Sequence, residues 1–167
     1  AIHWVAQGIA SEEHRDLVGA INDYSQAIAL DPELADAYNN RGNIYRQQGQ
    51  LDRAITDYNQ AIALAPYDAV AYYNRGLAYT EQNQLDLAIA DYNRAIALDS
   101  QLVVAYVGRG VAFAANRELD AAIMDYNQAI TLDPNYALAF YHRGLVRWEL
   151  GNLDAAIADF NQTIALN

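Results

Sequence analysis

The amino-acid sequence repeats with a period of 34 residues along its length, and this period limits the chain to a stacked architecture. Five segments align without insertion or deletion, and the last is three residues short: 1–34, 35–68, 69–102, 103–136 and 137–167. A period of this size is typical of solenoids, in which each unit covers the apolar face of its neighbour because one unit cannot bury that face alone. We therefore expect residues 1–167 to form one array and a single domain.

Each segment carries two helical patterns separated by a turn, as the second segment illustrates. Tyr38, Gly42 and Tyr45 follow steps of four and three residues, which mark one face of a first helix. A second run with the same steps ends before Pro66, a residue that cannot continue a helix. Gly49 lies between the two runs, where a left-handed residue suits the end of the first helix. The sequence therefore predicts ten antiparallel helices in five hairpins.

Small and large residues recur at fixed positions of the repeat. Position 8 is always glycine: Gly8, Gly42, Gly76, Gly110 and Gly144. Position 20 is always alanine, and positions 4 and 24 are always aromatic. Alternating small and large positions let two ridged helices interlock at close distance.

This phased pattern resembles the tetratricopeptide repeat (TPR) of bacterial-type proteins, and the resemblance spans the whole chain. It implies an all-α fold, a right-handed superhelical α-α solenoid of five helix-turn-helix repeats. In such solenoids the first helices line a concave groove and the second helices form the convex face.

The most distinctive local feature is an arginine at position 7, where the family usually has leucine. These arginines are Arg41, Arg75, Arg109 and Arg143. Every second helix carries an aspartate at position 23: Asp23, Asp57, Asp91, Asp125 and Asp159. We predict a structural Arg–Asp ladder of partly buried, charge-assisted pairs, with Gln7 replacing arginine in the first repeat. The alternative is that the arginines bind an anionic ligand, although aspartates in step with them would neutralise their charge.

The resemblance implies that positions 2, 5, 9, 12 and 13 of each repeat point into the groove, and in repeats three to five these positions are mostly apolar. The apolar residues of the predicted peptide-binding groove are Val70, Tyr73, Leu77, Val104, Val107, Val111, Leu138, Tyr141, Leu145 and Trp148. Four asparagines complete it: Asn39, Asn40, Asn43 and Asn74. Partial burial between adjacent first helices is the alternative reading of the apolar positions.

An exposed apolar patch of this size calls for a partner. We therefore predict a non-catalytic protein–protein interaction scaffold that binds an apolar or amphipathic peptide segment in its groove. Two alternatives stay open. The last helix presents Ile157, Phe160 and Ile164, against which the first repeat of a second molecule, bearing Trp4, can stack to give an end-to-end homo-oligomer. The second alternative is that the chain is an adaptor module of a larger enzyme.

Composition argues against several other functions. The net charge is −11 and all ten basic residues are arginines, which disfavours nucleic acid and anionic lipid because both require clustered cations. No apolar run approaches the roughly 20 residues of a membrane span. His3, His14 and His142 lie in different repeats, and the chain has no cysteine, no phosphate loop and no activated nucleophile. We therefore expect no enzyme activity, no cofactor and no metal.

One binding mode of the family is also disfavoured. Chaperone-adaptor repeats grip a C-terminal carboxylate with lysine, asparagine and arginine in the groove. This chain has no lysine, and the residues that resemble such a clamp are Asn39, Asn40, Asn43 and Arg46. We therefore do not expect acidic C-terminal tails as clients.

Both ends of the chain fall in phase with the repeat, and residue 1 is alanine rather than methionine. This pattern suggests that flanking segments have been removed. The sequence leaves open the client protein and the compartment, with the cytoplasm slightly favoured.

Overall fold

The computed structural model describes residues 1–166, which form ten α-helices and no strand. In chain order the helices are α1 (Ile2–Glu13), α2 (Leu17–Leu30), α3 (Ala35–Gln47), α4 (Leu51–Leu64), α5 (Ala69–Glu81), α6 (Leu85–Leu98), α7 (Val103–Ala115), α8 (Leu119–Leu132), α9 (Ala137–Glu149) and α10 (Leu153–Leu166). The predicted all-α class with ten helices is confirmed. Over the same residues, every helix is too short or too polar to cross a membrane.

The chain forms two compact units, and each is described by itself. Unit 1 is Ala1–Asn83 and contains α1 to α5; unit 2 is Gln84–Asn167 and contains α6 to α10. Within each unit, helices that follow one another in the chain pack together. In addition α3 contacts α5, and α7 contacts α9, so that first helices of successive repeats lie side by side.

One residue in each turn between the two helices of a repeat has a left-handed backbone. These residues and their φ angles are Arg15 (60°), Gly49 (72°), Asn83 (58°), Arg117 (66°) and Gly151 (79°). In the second repeat the N–H of Gln50 then reaches back to the carbonyl oxygen of Tyr45 at 2.8 Å, which closes the helix end. Arg15 and Arg117 adopt this conformation although an L-residue with a side chain pays for it in steric strain.

The glycine at position 8 allows a buried aromatic ring to reach the backbone of the first helix. A Cβ atom on Gly42 would lie 2.7 Å from Cε1 of Tyr58, and one on Gly110 would lie 2.6 Å from Cε1 of Tyr126. Both tyrosine rings are fully buried. The glycine at position 8 is therefore a packing requirement of these hairpins.

Candidate functional site

Three of the position-7 arginines bind the position-23 aspartate of their own repeat through two hydrogen bonds each. The pairs are Arg41–Asp57, Arg109–Asp125 and Arg143–Asp159, with donor–acceptor distances of 2.6 to 3.0 Å. The three aspartates are buried, and their charge is matched by a guanidinium that donates from Nε and Nη2. The two remaining residues of the predicted ladder, Arg75 and Asp91, belong to different units.

The third guanidinium nitrogen, Nη1, reaches the second helix of the preceding repeat. Arg109 Nη1 donates to Asn93 Oδ1 at 2.6 Å. The equivalent bonds join Arg41 to Ser25 at 3.0 Å, Arg75 to Asn59 at 2.7 Å and Arg143 to Asn127 at 2.5 Å. Arg109 therefore connects α6, α7 and α8. This bond is not among the contacts predicted from the sequence, although a polar residue at position 25 recurs in step with the arginine.

Aromatic rings enclose the same guanidinium groups. The Cζ atom of Arg109 lies 5.7 Å from the ring centre of Tyr106 and 5.8 Å from that of Phe113. The hydrogen bond to Asp125 raises the pKa of Arg109 above its usual value. With two aspartate contacts, an asparagine contact and two rings, the guanidinium of Arg109 is committed to the fold, which argues against a role in binding an anion.

The first repeat departs from the predicted ladder. Asp23 accepts a hydrogen bond from Ser11 Oγ at 2.9 Å, while the side chain of Gln7 is exposed, so the prediction for Gln7 is wrong. Ser11 stands at position 11, where inner repeats have an aromatic ring. In the last repeat Arg147 occupies position 11 and donates to Asp159 Oδ2 at 2.9 Å. Loss of the ring therefore opens the aspartate to a polar side chain at position 11.

In unit 1 the predicted groove residues lie on α3 and α5, and their amides are used within the protein. Asn74 is buried and donates from Nδ2 to Asn39 Oδ1 at 3.0 Å. Asn43 Oδ1 accepts from the hydroxyl of Tyr58 at 2.8 Å, and burial raises the pKa of that hydroxyl to about 12. Asn40 is half-buried. These amides are therefore only partly available to a bound peptide.

The apolar groove residues of unit 1 lie on α5. Val70 is exposed, whereas Tyr73 and Leu77 are half-buried. On α3, Arg46 Nη1 donates to Glu81 Oε1 at 2.6 Å. The arginine of the clamp-like set is thus neutralised within the chain.

In unit 2 the predicted groove residues form a more apolar surface on α7 and α9. We name it the apolar surface, and it consists of Val104, Val111, Leu138, Tyr141, Leu145 and Trp148. The four residues on α9 follow steps of three, four and three and so share one helical face. Trp148 is 63% exposed and Leu138 is 52% exposed. Val111 of α7 lines one pocket together with Leu145 and Trp148 of α9, so the apolar surface extends over both helices.

The prediction that Val107 lines the groove is wrong, because Val107 is buried, with 7% of its surface exposed. It belongs to the core cluster of unit 2 together with Ala139 and Val146 of α9. Position 5 of α7 faces the neighbouring first helix, so Val107 fills the space between α7 and α9. It therefore contributes almost no exposed area to the apolar surface.

A pocket of about 240 Å³ opens beside Trp148 and Leu145 on the apolar surface. Its lining residues are Val111, Ala114, Tyr126, His142, Leu145, Val146, Trp148 and Glu149. The rings of Tyr126 and His142 are stacked, with centres 5.9 Å apart and an angle of 19° between the planes. Burial lowers the pKa of His142 and raises the pKa of Tyr126. Both groups are therefore neutral at pH 7, and the pocket combines apolar walls with two neutral polar rings.

Comparison with protein families identifies the repeat in most of the chain. A family model described as "TPR repeat" matches residues 16–45, 42–81 and 118–151. Models described as "Tetratricopeptide repeat" match residues 69–102 and 137–167. These matches confirm the resemblance deduced from the glycine, alanine and aromatic rows.

Individual proteins agree with this result. Tetratricopeptide repeat protein 36 of Xenopus tropicalis is 48% identical over 44 residues, which are 26% of this chain and 22% of that protein. This chain thus spans about a fifth of the length of that relative. A crystal structure of MamA has a TM-score of 0.83 and 28% identity, covering 95% of this chain and 93% of that one. The first TPR of Spaghetti (RPAP3), bound to HSP90 peptide SRMEEVD, has a TM-score of 0.68 and 32% identity, covering 70% and 93%.

Proposed function

Because the chain belongs to the tetratricopeptide repeat family, we propose that it is a non-catalytic protein-interaction scaffold that binds an apolar or amphipathic peptide segment on the apolar surface of unit 2. The observation that supports this proposal is the exposed stripe on α9. Contiguous exposed apolar patches on soluble proteins mark interaction sites. Tyr141 and Trp148 are suitable anchors because aromatic side chains dominate binding energy at protein interfaces.

The dimensions of the stripe fit a short peptide segment. Leu138 and Trp148 are ten residues apart on α9, which corresponds to about 15 Å along a helix axis. An extended peptide covers this length with about five residues. Alternate side chains of such a segment would contact the patch, which favours a client with regularly spaced apolar residues.

Charge favours a neutral or basic segment over an acidic one. The Spaghetti domain is bound to the peptide SRMEEVD, which carries two glutamates and an aspartate. The present chain has a net charge of −11 and no lysine, and its clamp-like Arg46 is paired with Glu81. We therefore propose a client held mainly by apolar contacts and not by its C-terminal carboxylate.

Selection from a random peptide library tests this function. The parent protein is compared with a Leu138→Glu, Leu145→Glu double variant, which places two charges on the apolar surface. The matched control is the Leu87→Glu, Met124→Glu double variant, which changes two exposed apolar residues on the second helices of the same unit. Thermal unfolding of all three proteins verifies that they are folded.

We expect the parent and the control to capture peptides with regularly spaced apolar residues. The Leu138→Glu, Leu145→Glu variant should capture at least tenfold less of these peptides than the parent does. Equal capture by this variant and the control would exclude the apolar surface as the contact site. Absence of selective capture by the parent would reject the function itself.

A second proposal is end-to-end assembly, which the exposure of α10 favours. Ile157 and Ile164 are exposed, whereas the equivalent Ile123 and Ile130 of α8 are half-buried against the core cluster of unit 2. We propose that the first repeat of a second molecule covers this face of α10, including Phe160. Light scattering that rises with concentration, and that an Ile157→Glu, Ile164→Glu variant abolishes, would support assembly. A concentration-independent monomer would reject it.

A further inference from the structure

The tyrosine at position 24 places a hydroxyl group at the same point of successive repeats. In unit 1 a polar side chain of the first helix accepts a hydrogen bond from this hydroxyl. Tyr24 donates to Glu12 in the first repeat. Tyr58 donates to Asn43 at 2.8 Å in the second. These acceptors stand at positions 12 and 9 of their repeats. A buried hydroxyl requires such a partner because leaving it unpaired costs free energy.

The fourth repeat lacks these partners. Its residues at positions 9 and 12 are Val111 and Ala114, which cannot accept a hydrogen bond. The Tyr126 hydroxyl makes no hydrogen bond with the residues that the structure describes, 1–166. Only 1% of the surface of Tyr126 is exposed, but its hydroxyl is not among the polar atoms that are fully shielded from solvent, so water can reach it. The fifth repeat avoids the problem because it carries Phe160 at this position.

The unpaired hydroxyl lies at the pocket on the apolar surface. The buried Tyr126 and the half-buried His142 are polar groups of this pocket, while Leu145 and Trp148 form part of its apolar wall. Its volume of about 240 Å³ is below the roughly 300–1,000 Å³ of small-molecule sites. A single side chain of a bound polypeptide is therefore a better match than a separate small ligand.

The chemistry of the pocket selects among side chains. The occupant must accept a hydrogen bond from the Tyr126 hydroxyl, which excludes aliphatic groups and phenylalanine as well as indole and ammonium groups, since the last two only donate. A carboxylate would accept, but it would lose its hydration between apolar walls without a cation among the lining residues to compensate for that loss. An amide offers both donor and acceptor but fits poorly between apolar walls. A phenol offers both functions on a flat apolar ring.

We infer that this pocket is a specificity site for one tyrosine side chain of the bound peptide, whose hydroxyl accepts a hydrogen bond from Tyr126. This inference rests on the peptide-binding function proposed above and adds a sequence preference to it. The neutral ring of His142 supplies one donor and one acceptor, so it can complete the hydrogen bonding of the same phenol. Because the Tyr126 hydroxyl has no internal partner, it can donate to the client's phenol once the client displaces water from the pocket.

Side-chain analogues test the pocket without knowledge of the client. NMR titration of the full chain with p-cresol, toluene, 3-methylindole and propionamide is followed at the ring signals of His142 and Tyr126. One hydrogen bond corresponds to about a three- to tenfold preference, which we expect for p-cresol over toluene. In a Tyr126→Phe variant the two probes should bind equally. The control Tyr58→Phe removes a hydroxyl that is already paired and should keep the preference for p-cresol.

Three results would overturn the inference. The first is equal binding of p-cresol and toluene to the parent, or no shift at His142 with any probe. The second is a preference for p-cresol that Tyr126→Phe leaves intact. The third is stronger binding of 3-methylindole or propionamide than of p-cresol.

The peptide library separates this inference from the function on which it rests. Captured peptides should contain a tyrosine, and its replacement by phenylalanine should weaken binding about three- to tenfold to the parent but not to Tyr126→Phe. Capture without a tyrosine preference would reject the specificity site and leave the scaffold function standing. A p-cresol preference without any peptide capture would reject the scaffold function and leave the phenol site standing.

Discussion

Arg109 holds Asp125 at two points, with Nε 2.8 Å from Oδ2 and Nη2 2.6 Å from Oδ1, while its third nitrogen holds Asn93 at 2.6 Å. Arg109 lies on α7, Asp125 on α8 and Asn93 on α6. One side chain therefore joins three successive helices of unit 2. The planar guanidinium makes this possible because its five donors point in fixed directions, whereas a lysine ammonium cannot form the same fork.

Removal of the aspartate tests how much this pair contributes to stability. We expect Asp125→Ala to lower the free energy of unfolding by about 3 kcal/mol, because it leaves a largely buried guanidinium without its partner. The control is Glu149→Ala, which removes the more exposed pair between Arg117 and Glu149 and should cost no more than about 1 kcal/mol. Urea unfolding measures both. A loss near zero for Asp125→Ala would mean that the pair does not stabilise the fold.

Two isosteric substitutions at position 24 should change the free energy of unfolding by different amounts or in opposite directions. Tyr58→Phe removes the hydrogen bond to Asn43 and should lower the free energy of unfolding by about 1 kcal/mol. Tyr126→Phe removes a hydroxyl that has no partner in the described chain, so it should leave stability unchanged or raise it by up to about 1 kcal/mol. Chemical denaturation compares the two variants. Equal losses would show that the Tyr126 hydroxyl is paired in the free protein.

The helical frame of this chain was predictable because period and residue size suffice to place helices. Gly42 recurs with Tyr58 in every repeat as a small and a large residue, and this pairing indicates close packing without any coordinates. Gly49 marks a left-handed turn by its identity alone. The ends of the helices follow from the same signals.

The details of the surface were not predictable in the same way. Val107 and Leu145 are both apolar residues at positions assigned to the groove, yet Val107 is buried between α7 and α9 while Leu145 is exposed. The difference depends on how two first helices approach each other, which a single helical period does not encode. The pairing of Asp23 with Ser11 instead of Gln7 depends on the space that opens when position 11 loses its ring.

In the left-handed turns of unit 1, replacing a glycine and introducing one should have opposite effects on stability. Gly49→Ala should lower the free energy of unfolding by about 1 kcal/mol, since a Cβ there meets no neighbour but φ is 72°. Arg15→Gly should raise it by about 0.5 kcal/mol, because relief of strain at φ 60° exceeds the added entropy of the unfolded chain. Thermal unfolding measures both changes. A more stable Gly49→Ala protein would contradict the assigned turn geometry.

The titration of His142 should appear in the pH dependence of stability. Burial lowers its pKa below the usual 6.5, so the unfolded chain binds a proton at His142 more readily than the folded chain. Stability from this group is present above pH 6.5 and falls as the pH drops from there towards the folded pKa. In His142→Phe this part of the loss should vanish, while His3 and His14 are unchanged in both proteins. Denaturant unfolding between about pH 7.5 and pH 5 compares them. The same pH dependence in both proteins would show that His142 is not desolvated.

The central claim is that a client peptide covers the apolar surface of unit 2, and the fluorescence of Trp148 tests it most directly. The chain has two tryptophans, so a Trp4→Phe variant leaves Trp148, which is 63% exposed, as the single reporter. Peptides selected on the parent are titrated into this variant while their binding is followed independently by fluorescence anisotropy of a label on the peptide. We predict that the Trp148 emission shifts to shorter wavelength in proportion to the bound fraction, since the peptide removes water from the indole. Saturable binding with an unchanged Trp148 emission would contradict the account.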